Sequence, residues 1–192
     1  MKLAQRSVSE RVRQAWKNGG GVTEELAIHE RSGSWLWRLS LAEVNASGPF
    51  SNFAGFRRNI MVVGGRGMVL TFDHAPEARL DTLYCPFTFE GDWTTNCCLI
   101  DGPVKDLNLI WDRELADAHL NVTSLTPVDG VRALSGVTAI IFGLTGEAEL
   151  DLSGRRVTLK QGDTLRVDDV NGAAMSVVKA WQCKVTIVES EA

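Results

Sequence analysis

The sequence predicts an all-β protein, a sandwich or barrel built of many short strands. Apolar and polar residues alternate at strand period, helical periodicity is scarce, and Gly, Asp and Pro punctuate the chain every 8 to 12 residues or so, at about the spacing of sandwiches and barrels.

Along the chain, Val8 to Ala15 is the best helical candidate, because Ser7 and Glu10 have capping-box spacing, but Gly19, Gly20 and Gly21 stop it. Val22 to His29 reads as extended. Trp35, Trp37, Leu39 and Leu41 then alternate with Leu36, Arg38, Ser40 and Ala42. Ile60 to Val63 is an apolar strand, and in Lys105 to Trp111 the polar pair Asp106 and Asn108 shares one face while Leu107, Leu109 and Trp111 occupy the other. Asp112 to Leu120 is polar and reads as a short helix or loop. Ala148, Leu150 and Leu152 alternate with Glu147, Glu149 and Asp151, and Cys183, Val185 and Ile187 with Lys184 and Thr186. Val63-Gly64-Gly65-Arg66-Gly67 is echoed by Phe142-Gly143-Leu144-Thr145-Gly146, each read as strand, tight Gly turn, strand. Each is followed by a Gly-Asp step, Gly91-Asp92 and Gly162-Asp163, so two half-barrels of related plan would explain the pair. The expected division is 1–115 and 116–192, with exchange of strands between the two allowed.

Composition narrows the function. The chain has 192 residues, 20 Lys+Arg against 24 Asp+Glu, and a formal net charge of −4. With no basic run it is a poor partner for nucleic acid, whose non-specific binding depends on neutralising phosphates. The longest mostly apolar run, Val137 to Leu144, is far short of the roughly 20 residues that cross a bilayer, and charges interrupt Met1 to Trp16, so no membrane association is expected and the expected location is cytoplasmic. Four Cys without a Cys-x-x-Cys pair read as small core residues, with adjacent Cys97 and Cys98 on opposite faces of a strand.

Four segments carry candidate chemistry. Lys17 and Asn18 precede the three glycines, an arrangement that either lets backbone N–H groups approach an anion or makes a plain bulge. Arg38 and Ser40 lie opposite Trp37, Leu39 and Leu41; lining a cavity, Arg38 offers a planar fork suited to a carboxylate, and facing water it is a surface charge. Asp106 and Asn108 are equally a polar pocket wall or an exposed face. Gly48 to Arg58 has a Gly-Pro turn, three spaced aromatics, a second Gly and paired arginines; in a strand Arg57 and Arg58 point to opposite faces, so at most one enters a pocket.

Together these segments resemble the HutD/Ves family, whose pattern includes Trp-Lys/Arg-Asn, a Gly-rich step and Thr-x-Glu, then Trp-Arg-x-Ser, Gly-x-Phe-Ser-x-Phe-x-Gly-x-x-Arg, and Asp-x-Asn. Here they fall on Trp16, Asn18, Gly21, Thr23 and Glu25; on Trp37, Arg38 and Ser40; on Gly48, Phe50, Ser51, Phe53, Gly55 and Arg58; and on Asp106 and Asn108. The resemblance covers Trp16 to about Arg113, with Ala54 where proline is common and Leu-Ile-Trp-Asp-Arg after Asn108 where the family has a Thr-Arg pair. It implies a bicupin, RmlC-like fold, that is, a jelly roll or double-stranded β-helix with two cupin-like lobes in one compact unit. It also implies a link to histidine utilisation and stress response, with a small-molecule-binding, regulatory role.

Metal cupins resemble His-x-His with a Glu before the Gly turn and a later His. Neither Phe53 to Val63 nor Val131 to Gly143 contains a His or Glu, and His29, His74 and His119 are scattered, so neither metal nor other cofactor is expected. No Gly-x-Ser-x-Gly elbow is present. Three readings remain. The first is a binding module for a small anionic metabolite, an N-acyl amino acid or a dicarboxylate such as N-formylglutamate. Arg58 and Arg38 would clamp its carboxylate and Asn18 and Asn108 would orient its amide, with Lys17, Thr23, Glu25, Ser40 and Asp106 completing the site. The second is a metal-independent isomerase or hydrolase using Glu25 or Asp106 as base, with Glu43 a further carboxylate to consider. The third is a stress-associated structural oligomer, such as a homodimer, without a pocket ligand.

Overall fold

A computed structural model describes residues 1–191 except Asn18, Ser32, 128–130, Ser135 and Asn171. It is all-β: the described residues contain no α-helix. The strands are β1 (Lys2–Arg6), β2 (Arg13–Ala15), β3 (Gly21–Arg31), β4 (Ser34–Val44), β5 (Gly48–Pro49), β6 (Phe56–Gly64), β7 (Met68–Phe72), β8 (Ala78–Leu80) and β9 (Phe87–Glu90). They continue as β10 (Thr95–Leu99), β11 (Val104–Asp112), β12 (Asp117–Ser124), β13 (Val131–Ala133), β14 (Thr138–Leu152), β15 (Arg155–Lys160), β16 (Thr164–Asp168) and β17 (Ala174–Glu191). They form two compact units, Val12–Ala116, and Met1–Arg11 together with Asp117–Ala192.

In the unit Val12–Ala116, the order β2-β3-β4-β11-β6-β9 makes a six-stranded antiparallel sheet and β5-β10-β7-β8 a four-stranded one. Their inner faces meet in a core of Val44, Ile60, Val62, Phe89 and Val104 from the larger sheet and Met68, Leu70, Ala78, Leu80 and Cys97 from the smaller. This is sandwich packing, in which alternate residues of each strand supply the apolar layer. Strand alternation holds along β4 and β11, yet Leu39, Leu107 and Leu109 on the outer face are as buried as the inner residues.

In the other unit one seven-stranded sheet, β1-β16-β14-β17-β12 with β13 on β17 and β15 on β14, surrounds its own core. The long strand β14 sends Ala139 and Ile141 into that core from its first half and Ala148, Leu150 and Leu152 from its second. The change from odd to even positions is made by register shifts at Gly143/Thr145 and Thr145/Glu147, where bulges let the strand bend without turning its apolar residues outward. Strand β1 pairs with β16 from Lys2↔Asp168 to Arg6↔Thr164.

Three expectations are corrected. Val8 to Ala15 is not one helix: a single 3-10 turn spans Val8–Glu10, and Arg13–Ala15 is strand β2. The capping signal is real, since the Glu10 carboxylate accepts from the Ser7 N–H at 2.7 Å, but strand pairing of Arg13 to Ala15 with Val22 to Glu24 takes the rest. Of the two glycine motifs, Gly65 and Gly67 do make a turn between β6 and β7, whereas Phe142 to Gly146 lies inside continuous β14 and its glycines serve the bulges. Cys97 and Cys183 are buried, but Cys85 and Cys98 are exposed.

Candidate functional site

The inner face of the six-stranded sheet carries more than apolar residues. Cross-strand partners share a face, so pairing sets out three rows. Arg38, Ile110, Arg58 and Phe89 make the first, Ser40, Asn108, Ile60 and Phe87 the second, and Thr23, Ala42, Asp106 and Val62 the third. Rows two residues apart lie about 7 Å from one another along the strands. The polar members line a cavity of about 540 Å³.

The segment after β5 forms the opposing wall. Phe50, Ser51 and Phe53 line the cavity, and the loop is tied down by Phe50 N–H to the Thr95 carbonyl (2.9 Å) and Phe53 N–H to the Gly91 carbonyl (2.8 Å). Gly55, at φ 83°, donates its N–H to the Asp92 carboxylate at 3.0 Å, which holds that carboxyl below its usual range. A Cβ at Gly91 would meet the Phe53 and Phe56 carbonyls at 2.5 and 2.7 Å, so only glycine lets the loop lie this close. Trp16 closes another side, its indole N–H donating to Thr23 Oγ1 at 2.7 Å and its ring edge-on to Phe50.

Arg58 is 4% exposed. Its guanidinium sits 4.8 Å from the Phe89 ring centroid, 5.3 Å from Phe53 and 5.5 Å from Phe50, and donates to the Ser51 carbonyl at 3.3 Å. Arg38 reaches the other side of the same aromatic cluster, 5.4 Å from Trp35 and 5.8 Å from Phe53. Phe53 is thus shared by both cations. The Nε atoms of both arginines are buried without a hydrogen-bond partner, and among the described residues neither arginine is paired with a carboxylate. Asp106, 1% exposed, has no partner for either oxygen, and Asn108 Oδ1 has none. Burial pushes the Asp106 carboxyl up to about 7, against the pull of Arg58. Burial also pushes Arg58 down to about 10, with Asp106 opposing that shift and Arg38 adding to it. For both groups, then, loss of water outweighs the mutual attraction. Cys97, raised to about 12 by burial and by the charge of Asp106, is no nucleophile.

Of the residues proposed from sequence, Lys17, Thr23, Arg38, Ser40, Arg58, Asp106 and Asn108 are brought to this cavity, Lys17 at its exposed edge. Ser40 is buried, its hydroxyl 3.5 Å from the Asn108 carbonyl. Glu25 is opposite Ser40 in register, but a bulge follows it and it is exposed, outside the lining. Glu43 is bound by Arg13 at 2.6 Å and Lys105 at 2.9 Å, and its carboxyl is held low, chiefly by Lys105. Arg113 contacts Glu90 and Asp92 at the surface. Asn18 lies outside the described residues. Sequence reasoning passed over the aromatic wall: Phe50 and Phe53 stood in the recognised motif, and Phe89 had only the Phe-x-Phe alternation to mark it.

Among the described residues no group of three or more His, Cys, Asp or Glu is placed to hold a metal ion. His29 stacks on Trp37 at 5.9 Å, while His74 and His119 each sit beside an aspartate.

A family model described as HutD matches residues 8–185. A Pseudomonas putida protein named for its place in the hutC 3' region is 37% identical over 161 residues, 81% of this chain and 82% of that one. Protein Ves of Cronobacter sakazakii is 30% identical over 129 residues, 67% of this chain and 70% of its own. Two solved structures cover all of this chain and of themselves. One, a conserved protein of unknown function from Pseudomonas aeruginosa PAO1, has a TM-score of 0.88 at 31% identity; the other, HutD from Pseudomonas fluorescens SBW25 (formate condition), has 0.80 at 35%.

Proposed function

The chain belongs to the HutD family, with the all-β bicupin fold, and from that premise we propose that it binds a small carboxylate-bearing metabolite in the cavity of residues 12–116. The observation that carries this reading is Arg58. A buried guanidinium without a counter-ion is costly, and an aromatic clamp compensates only in part. A ligand carboxylate supplies what is missing. It accepts from the planar forks of Arg58 and Arg38 and is held against the aromatic wall. Lys17 at the cavity edge can meet a second acidic group, and the ligand class is the N-acyl amino acids, N-formyl-L-glutamate first among them. The outcome of binding is regulatory, in histidine utilisation or stress response; the name of the Pseudomonas putida relative supports the first. The protein acts as a cytoplasmic sensor that needs no metal.

Thermal denaturation with N-formyl-L-glutamate tests this. At about 100 times the dissociation constant, binding adds roughly 2.7 kcal/mol, a rise in melting temperature of about 5 to 11 °C for a chain of this size. Arg58→Ala should lose most of the rise and Arg57→Ala should keep it. A full rise in Arg58→Ala would defeat the reading.

A second reading has one observation in its favour. Of Glu25, Glu43 and Asp106, only Asp106 lines the cavity with both oxygens free, as a general base requires. Proton NMR of bound candidates left with the protein for hours separates the two: a new product means catalysis, and unchanged ligand means binding alone.

A further inference from the structure

We propose that Asp106, aided by Asn108, is the acceptor end of this cavity and restricts its ligands to carboxylates that also carry an N–H donor, so that a plain dicarboxylate is refused there. The inference rests on the carboxylate-binding reading above and adds the chemistry of the far end. The rows grade in charge. Arg38 and Arg58 occupy the first, Ser40 and Asn108 the middle, and Asp106 the third, so a ligand lying along the strands meets donors at one end and acceptors at the other. Three buried oxygens of the middle and third rows, Asn108 Oδ1 and Asp106 Oδ1 and Oδ2, have no partner. Protein interiors rarely leave such a cluster unsatisfied, and here an N–H group is what would satisfy it.

Arg58 on β6 acts on Asp106 through its charge, and Asp106 in turn acts on Cys97 on β10, while Lys17 and Arg38 line the same cavity. Arg58 acts on Asp106 at a distance without pairing, and the Cys97 thiol donates to Met68 Sδ at 3.5 Å, so neither neighbour takes up the oxygens. A second ligand carboxylate in the third row would face Asp106, whereas an amide or ammonium N–H would donate to it. Along the strands, the first and third rows are about 13 Å apart at the backbone, and the long arginine side chains shorten the gap to the scale of one amino-acid derivative.

The test uses an isosteric pair at pH 8, N-acetyl-L-glutamate and 2-acetoxyglutarate, which differ by N–H against ester oxygen. Calorimetry on the full chain should give at least about tenfold tighter binding of the amide, because a site built around a donor rejects the analogue that lacks it. Asp106→Asn should bring the two affinities together, since an amide side chain can serve either ligand, and Arg58→Ala should weaken both alike. Equal affinities in the wild type, with both lost in Arg58→Ala, overturn the role of Asp106 and leave the carboxylate reading standing. A preference that survives in Asp106→Asn places the acceptor elsewhere and also overturns it. If neither compound binds, nor N-formyl-L-glutamate, the carboxylate reading fails and this inference with it.

Discussion

Arg57 and Arg58 are adjacent in sequence and opposite in surroundings. Arg57 meets Glu90 at 2.9 Å on the exposed side of β6, and Arg58 is enclosed by three aromatic rings. Strand parity made that opposition legible from sequence, but not which arginine enters, because parity has no inside or outside until a second sheet covers one face. Asp106 was legible only as one of two alternatives, for the same reason. Its enclosure has a consequence for stability. Because its carboxyl is raised to about 7 in the folded chain, from an ordinary value of 3.8, the folded state keeps a proton that the unfolded chain releases. Stability from this group therefore falls as pH rises from about 4 to about 7 and is level above, a change on the order of 4 kcal/mol. Without ligand, Asp106→Asn should melt at least about 5 °C above the wild type at pH 8, with the gap narrowing at pH 5. A gap of the same size at both pH values would count against it.

At the scale of elements, the loop between β5 and β6 depends on the turn between β9 and β10. Phe53 N–H donates to the Gly91 carbonyl and Gly91 N–H to the Phe56 carbonyl, each at 2.8 Å, and the space for a side chain at Gly91 is absent. Gly91→Ala should push residues 50–56 away, separate Phe53 from both arginines and weaken carboxylate binding by about tenfold or more, while circular dichroism still reports β structure. Binding at wild-type strength in a folded Gly91→Ala protein would show that the loop is not part of the site. Sequence had marked Gly91-Asp92 as a repeat feature, and its use as a brace depends on a partner far along the chain. Similarly, Phe142 to Gly146 resembled a turn because glycine serves turns and bulges alike, and pairing with β17 decided for the bulge. Strand alternation is a local property and was read well; the choice between turn and bulge is made by distant neighbours.

At the scale of the molecule, the all-β class followed from strand alternation, scarce helical periodicity and Gly, Asp and Pro punctuation, but no pattern in Lys2 to Arg6 shows that its partner is Thr164 to Asp168. That pairing covers an edge of the seven-stranded sheet, with Met1 and Leu3 against its core and the Arg11 guanidinium donating to the Gly162 carbonyl. Deleting residues 1–11 should lower the melting temperature by about 5 °C or more and promote aggregation through the bared β16 edge. Binding in the cavity should persist, since its lining lies wholly within residues 12–116; an unchanged melting temperature would show β1 to be dispensable. The same pairing also sets an order of events during synthesis. Gln5 and Asp163, which share a hydrogen bond, are 158 residues apart, so β1 leaves the ribosome roughly 8 to 30 s before its partner strand exists. Residues 12–116 contain every strand of their two sheets and so have their pairing partners in that interval, while the first strand waits unpaired, and a nascent chain stalled before Thr164 would already carry the whole lining of the cavity.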